Sequence, residues 1–308
     1  MSVSSTTGAA PEDISLEWQD VSTLLSLAAM WGISFIFMRV VAPQIGWAWA
    51  ADLRVALGAM LIGVIMIQRR LPLHLRRDWQ HYLVLGAINS AIPFALFAVA
   101  AMHIPAAYSA IGNATAPLWA ALIGIAFTRE RQSLKKIGGL GLGLLGVVVT
   151  TGGGSVGLST MTLLAFLGTL LAALLYAIAG SYMKTRAKHI EPMALGCGSQ
   201  LAATLWLMPA LPFFMPAAVV VDFKLIACVL GSGLLSTGLP YVLYFPLMRR
   251  IGVMRAMTVT FLVPCFAILW AWLFLAEAVS WRALLGVLMV LLGVYLALGL
   301  DKAREPRT

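Results

Sequence analysis

Four prolines interrupt long apolar runs, and each stands four residues after a polar side chain: Asn89 before Pro93, Asn113 before Pro117, Ser236 before Pro240 and Thr260 before Pro264. A helical proline cannot donate to the carbonyl four residues back, so each polar residue is expected to carry a released carbonyl beside its own hydrogen-bonding side chain. In hydrocarbon such a carbonyl is costly unless it faces protein or a water-filled cavity. The chemistry on offer is recognition of a polar solute deep within apolar helices. Local healing of the kink, or bonding to a neighbouring helix, is the alternative use of any single one.

Trp31, Tyr176, Tyr241 and Tyr244 fall at mid-depth, away from the interfacial belt that Trp79 and Trp281 fit. Arg54 lies about 12 Å into its apolar run at 1.5 Å per residue, where a cation either snorkels to the interface or serves a function. Asp52 is close in sequence but on another helix face, a poor partner. The candidate solute-binding residues are therefore Trp31, Arg54, Asn89, Asn113, Tyr176, Ser236, Tyr241 and Thr260, with Pro93, Pro117, Pro240 and Pro264 kinking their helices. Glu130 and Glu277 precede Ser133 and Ser280, expected N-caps of the last helix in each half, and are read as structural.

Other chemistries lack their residues. No carboxylate lies in the central third of an apolar run, and His74, His81, His103 and His189 are all near run ends. There is no HExxH, P-loop or GxSxG motif, and Gly152–Gly154 is a turn, not a phosphate cradle. Cys197, Cys228 and Cys265 have neither disulfide nor zinc spacing. No catalytic residue, metal or cofactor is expected. The alternatives to a carrier are an intramembrane enzyme on lipid-linked substrates and a channel-like facilitator or scramblase.

These residues need apolar helices to position them, and the composition supplies little else. Of 308 residues, 61% are hydrophobic and 11% charged, with a mean hydropathy of +0.93. A soluble chain carries about 25% charged residues, so both a soluble globular domain and disorder are excluded. Runs long enough to span a bilayer fall at 21–42, 46–67, 79–101, 104–127, 134–152, 160–183, 192–214, 222–247, 250–274 and 281–300. The reading is an all-α integral membrane protein of ten transmembrane helices. Residues 1–20 read as a disordered polar tail without signal-peptide features, and 301–308 as a second tail.

Basic residues alternate with the spans. Arg69, Arg70, Arg76 and Arg77; Arg129, Arg131, Lys135 and Lys136; Lys184, Arg186 and Lys188; Arg249, Arg250 and Arg255; and Lys302, Arg304 and Arg307 all fall on one side. That side is cytoplasmic, which places both termini there, in a plasma membrane of the bacterial inner-membrane kind. The net charge of +9 is thus explained by topology, without a nucleic-acid partner. The expected partners are a small-molecule solute and the lipid bilayer; the oligomeric state stays open, a monomer included.

The chain also repeats itself. Pro93, Pro117, Glu130, Ser133, Gly139 and Gly146 recur as Pro240, Pro264, Glu277, Ser280, Gly286 and Gly293, each 147 residues on, and Gly86 pairs with Gly233. Trp31, Ile33, Met38 and Arg39 meet Tyr176, Ile178, Met183 and Lys184 at an offset of 145. Residues 21–152 and 160–300 are therefore read as two five-helix copies. Five spans is odd, so the second copy is inverted, an architecture of secondary transporters with the site at the repeat interface. Gly139 and Gly143 form a GxxxG close-packing motif.

With Trp31-Gly32-Ile33-Ser34-Phe35, Arg54, and a proline-containing span followed by Phe-x-x-Glu-x-x-Ser in each half, the chain resembles the EamA type of the drug/metabolite transporter superfamily across 21–300. The resemblance implies two inverted five-helix repeats and movement of small organic solutes, commonly export of amino acids or metabolites. Topology reporters fused at Arg77, Lys136 and Arg250 should read cytoplasm, and those at Gly153 and Ser280 the outside. A cytoplasmic Gly153 contradicts the inverted arrangement.

Overall fold

The computed structural model describes residues 17–128, 134–151, 159–251, 256, 259–278 and 280–298. Expectations about Glu130, Ser133, Gly152–Gly154, Arg255, residues 1–16 and the second tail lie outside the described residues. At the end of the first tail the expectation of disorder is corrected, since Glu17 caps the first helix and residues 18–20 are already helical. In chain order the helices are α1 (Trp18–Ile45), α2 (Trp47–Gln68), α3 (Leu75–Leu85), α4 (Ile92–His103), α5 (Ala106–Asn113), α6 (Ala116–Thr128), α7 (Leu134–Thr151), α8 (Thr160–Thr185) and α9 (Pro192–Leu207). They continue with α10 (Phe223–Leu230), α11 (Leu239–Ile251), α12 (Val259–Leu275) and α13 (Trp281–Leu298). A π-helical turn, Gly86–Ala91, joins α3 to α4, and a second, Gly231–Gly238, joins α10 to α11. A 3₁₀ turn, Met208–Phe213, extends α9. No strand occurs among the described residues.

Six of these segments are long and apolar enough to cross a membrane: Trp18–Ile45, Trp47–Gln68, Leu75–His103, Thr160–Thr185, Pro192–Phe213 and Phe223–Ile251. Shorter apolar stretches lie at Ile137–Val149, Leu262–Leu275 and Trp281–Leu296. Leu145, Val148, Leu164, Leu205, Trp272 and Leu288 are exposed on the outer faces, a surface suited to lipid and not to water. The chain is a multi-pass membrane protein. Several expected spans differ in outline: the one expected from 79 begins at Leu75, and the one expected from 250 yields its first two residues to the helix before it. The run 104–127 is broken into α5 and α6, and the helix expected to stop at 247 runs on to Ile251, so Arg249 and Arg250 lie in its last turn.

Helix starts follow from local chemistry. Ser159, Glu191, Asp222 and Ser280 each accept from the backbone N–H three residues on, at 3.1, 2.9, 2.7 and 3.1 Å, satisfying donors that the helix leaves unpaired. Ser280 is thus the N-cap that the sequence suggested. Gly46 turns α1 into α2 at φ +84°, and a Cβ there would meet the Phe214 carbonyl at 2.4 Å.

Glycines also set the helix contacts. The Gly139/Gly143 motif packs within the chain, against α13. A Cβ on Gly146 would lie 2.7 Å from the Gly286 carbonyl oxygen, and one on Gly293 would lie 2.6 Å from the Gly139 carbonyl oxygen. Each contact is the other with the two copies exchanged. The same exchange governs the π turns: a Cβ on Gly86 would sit 2.8 Å from the Ser199 carbonyl oxygen on α9, and one on Gly233 3.2 Å from that of Arg54 on α2. Gly293→Val or Gly146→Val should therefore destabilise the detergent-solubilised protein by about 1–3 kcal/mol, read as a fall in Tm. Gly141→Ala, where an added Cβ meets nothing within 4 Å, should leave Tm unchanged or raised.

Candidate functional site

Arg54 is the centre of the arrangement. Gly58, one turn further along α2, lets Thr237 approach so closely that a Cβ would meet its methyl group at 2.6 Å. Thr237 is thereby delivered to Arg54, whose Nε donates to Thr237 Oγ1 at 3.0 Å. The Thr237 hydroxyl in turn donates to the Ser232 carbonyl at 2.9 Å, taking up a backbone acceptor of the π turn. The guanidinium carbon lies 4.0 Å from the centre of the Phe94 ring. Only 7% exposed, Arg54 is buried in the bundle and does not snorkel.

Tyr176 and Tyr241 are its electrostatic neighbours. The Tyr241 hydroxyl is 3.5 Å from Gln200 Nε2 and also meets Asn89. Phe97 stacks on Tyr176, with ring centres 6.3 Å apart, and Phe35 meets Phe97 edge-on at 5.6 Å. Trp31 packs edge-on against Tyr244 at 5.5 Å, in the same apolar cluster as Tyr176. Ser236 is buried in the second π turn with its hydroxyl unpartnered; Ser90 Oγ in the first π turn and Gln200 Oε1 on α9 are in the same condition. Thus Arg54, Asn89, Tyr176 and Tyr241 are linked into one group, with Ser236 on the turn that carries Thr237.

Asn113 and Thr260 occupy α5 and α12, which pack on each other and on α1. The four prolines also diverge. Pro93 and Pro240 follow the π turns, whose wider winding absorbs the missing donor: the Ile92 N–H reaches the Ala87 carbonyl and the Leu239 N–H that of Leu234, five residues back. Pro117 falls in the first turn of α6, where its lost donor costs nothing. The break before it is closed by Thr115, whose hydroxyl donates to the Gly112 carbonyl at 2.6 Å. Pro264 lies within continuous α12. The uniform expectation of four released carbonyls therefore gives way to two π turns, one helix break and one uninterrupted helix.

Thr237, Phe94 and Gln200 were not among the candidates. A sequence signal for two of them existed: at the offset of 147, Phe94 is the mate of Tyr241 and Ser90 the mate of Thr237.

The bundle ends are tied by ions. At one end Arg39 Nε lies 3.5 Å from Glu277 Oε1 and its Nη1 donates to the Ala101 carbonyl. Glu277 Oε2 accepts the Ala106 N–H at 3.0 Å, so this carboxylate caps α5 and not the helix that follows it. Burial pushes the Glu277 carboxyl above its ordinary range, against the opposing pull of Arg39 and the backbone N–H groups of Ala106 and Ala107. At the other end Arg250 pairs with Asp20, Arg249 with Glu191 at 3.5 Å, and Asp78 with Arg77 at 2.7 Å and His189 at 3.4 Å. Cavities of about 240 and 800 Å³ open there, beside His189 and Glu191 and beside His81, Tyr182 and Arg186; Arg54 lines neither.

A sequence model described as the EamA-like transporter family matches residues 20–152 and again 163–299. The chain is 22% identical to an uncharacterized transporter, YoaV, of Bacillus subtilis over 89% of its length and 94% of that protein's. It is 23% identical to a protein of Streptantibioticus cattleyicolor named a probable terminal-alkyne amino-acid exporter, covering 90% of this chain and 92% of the relative. Identity is also 23% to a protein of Escherichia coli named a probable amino-acid metabolite efflux pump, over 88% and 92%. A solved crystal structure shares the fold, with a TM-score of 0.65 at 18% identity over 94% of this chain and 99% of the other.

The position of Glu277 sets a pH dependence. A carboxyl whose pKa is raised on folding binds more protons folded than unfolded, so its contribution is present at low pH and lost as pH rises through the folded value. Glu277→Gln mimics the protonated form. Its Tm should coincide with that of the parent near pH 4, and the parent should fall below it by pH 7. The opposite order would show that Arg39 and the backbone donors outweigh burial.

Proposed function

We propose that this chain, which belongs to the EamA-like transporter family, is a secondary transporter that exports amino acids or related small organic metabolites by alternating access. Family membership makes it a transporter of small molecules; direction, solute class and mechanism are the proposal. The observation that carries the reading is a buried cation held by Thr237 of the second π turn and by Phe94 in the helix that follows the first, the two turns being in equivalent positions of the duplicated chain. Such non-helical backbone at membrane depth persists where it is buried in protein or lines a path. The names of the amino-acid exporter and efflux-pump relatives support export of that class.

In this reading two inverted five-helix copies, 21–152 and 160–300, rock about the site in the bacterial inner membrane, with both termini cytoplasmic. The double family match and the reciprocal glycine contacts support two equivalent copies. Trp31, Arg54, Asn89, Tyr176, Ser236 and Tyr241 line the solute path, while Asn113 and Thr260 serve it from the α5–α12 pair. The Arg39–Glu277 tie closes the outer end, and the recesses beside His81 and His189 mark the cytoplasmic one.

Arg54 stays charged at any accessible pH and cannot shuttle protons. Because no carboxylate or imidazole lies in the central third of a span, the mechanism proposed is facilitated export down the solute gradient. In proteoliposomes, labelled solute should exchange by counter-flow with no imposed pH gradient, and collapsing such a gradient should barely alter the rate. Asn89→Ala and Tyr176→Phe should lower the rate about tenfold, the worth of one polar contact to the site, at nearly unchanged Tm, and Asn113→Ala should lower it less. A strict proton-gradient requirement would contradict the uncoupled mechanism and direct attention to Glu130, Glu277 and His103. Parallel losses of rate and Tm would return these residues to helix packing.

A further inference from the structure

The group around Arg54 has a charge it does not balance. Arg54 Nε is committed to Thr237, its only hydrogen bond among the described residues, which leaves its two Nη groups without a protein acceptor there, and no described carboxylate pairs with it. Asp52, although nearby in sequence, is buried with Oδ1 unpartnered and is not among the groups whose charge acts on Arg54. A cation taken out of water without a counter-ion is one of the most expensive features a fold can hold. Here Phe94 and Thr237 offset part of that cost, and each is neutral.

The duplication makes the charge asymmetric. Arg54 and Ser199 occupy matching places, since Gly233 abuts the backbone of the first and Gly86 that of the second. Where one copy presents a guanidinium, the other presents Ser199, with its hydroxyl bonded back to the Gly196 carbonyl at 3.0 Å, and then Gln200. Read as a solute path, the group has one cationic pole and one neutral polar pole. Packed about them are the rings of Phe94, Phe97, Tyr176 and Tyr241, suited to an apolar body.

We infer that Arg54 is the docking point for the carboxylate of a small solute that has an apolar body and no second anionic group. This rests on reading the group as the solute site of a transporter. A single guanidinium presents a planar pair of donors that matches one carboxylate in bidentate fashion. One cation neutralises one negative charge, so a dianionic phosphate would bring an uncompensated charge into the bundle. An organic cation would meet like charge. A neutral amide would leave the guanidinium without its counter-ion.

Matched probes test this with the full chain in detergent: 3-phenylpropionate against 3-phenylpropanamide, the same shape without the charge. The acid should raise Tm and the amide should not. Arg54→Gln should weaken the acid response about tenfold or more, as loss of a charge-assisted hydrogen bond does, and Arg54→Lys should retain a reduced preference for the acid. Equal stabilisation by the amide, no response to the acid, or an undiminished response in Arg54→Gln would each overturn the inference; the first two need no variant to fold. Counter-flow of labelled L-phenylalanine separates the two claims. Flux that is unchanged in Arg54→Gln leaves the transporter reading and removes the carboxylate site. Carboxylate-selective, Arg54-dependent binding with no flux of any bound acid leaves the site and removes the transporter reading.

Discussion

A guanidinium inside an apolar bundle must find its partners in protein or in what the bundle admits, because no bulk water solvates it there. The rest of the architecture can be traced from that constraint. Arg54 needs an acceptor at Nε, and the acceptor is a threonine hydroxyl presented by a π turn. The π turn needs a close neighbour that lets its backbone wind wide, and Gly58 on α2 with Gly233 and Gly238 in the turn allow that approach. Pro240 follows because a chain wound to reach five residues back has already given up the bond that a proline cannot make. Phe94 and Tyr241, mates across the duplication, both come to face the charge.

Duplication explains why so few residue types suffice. One set of contacts, glycine to backbone carbonyl, is used twice at α7–α13 and twice at the π turns. Such contacts gain their energy from close van der Waals approach, since burial of apolar surface drives nothing between helices already in lipid. They leave the two copies free to diverge where chemistry differs. Arg54 against Ser199 and Pro117 against Pro264 are such divergences. Among the described residues the ion pairs are confined to the bundle ends, where Arg39–Glu277 on one side and Arg250–Asp20 on the other can form or break without a charge crossing the interior.

Much of this was legible in the residues themselves. Apolar run lengths located the long helices, and the 147-residue offset located the equivalent π turns before Pro93 and Pro240. The offset also contained Phe94 and Thr237, but a phenylalanine and a threonine in apolar runs carry no signal until a charge is known to sit beside them. Two features were not legible for a physical reason. A proline marks where a helix must change its bonding without saying whether it becomes a π turn, as at Pro93, a break, as at Pro117, or a helix that continues, as at Pro264. Which occurs depends on glycines and hydroxyls supplied by other helices. Likewise Glu277 caps α5, a helix far away in sequence, and only the tertiary fold brings the two together.

The central claim is that the two ends of the bundle open in alternation around Arg54. Spin-label distance measurements address it most directly, with Cys197, Cys228 and Cys265 replaced and label pairs at Met102 and Trp281 near the Arg39–Glu277 tie, and at Gln80 and Thr185 across the recess at the other end. The account predicts that conditions lengthening one distance shorten the other, each pair sampling two populations. Single, unchanging distances at both ends during active solute flux would contradict it.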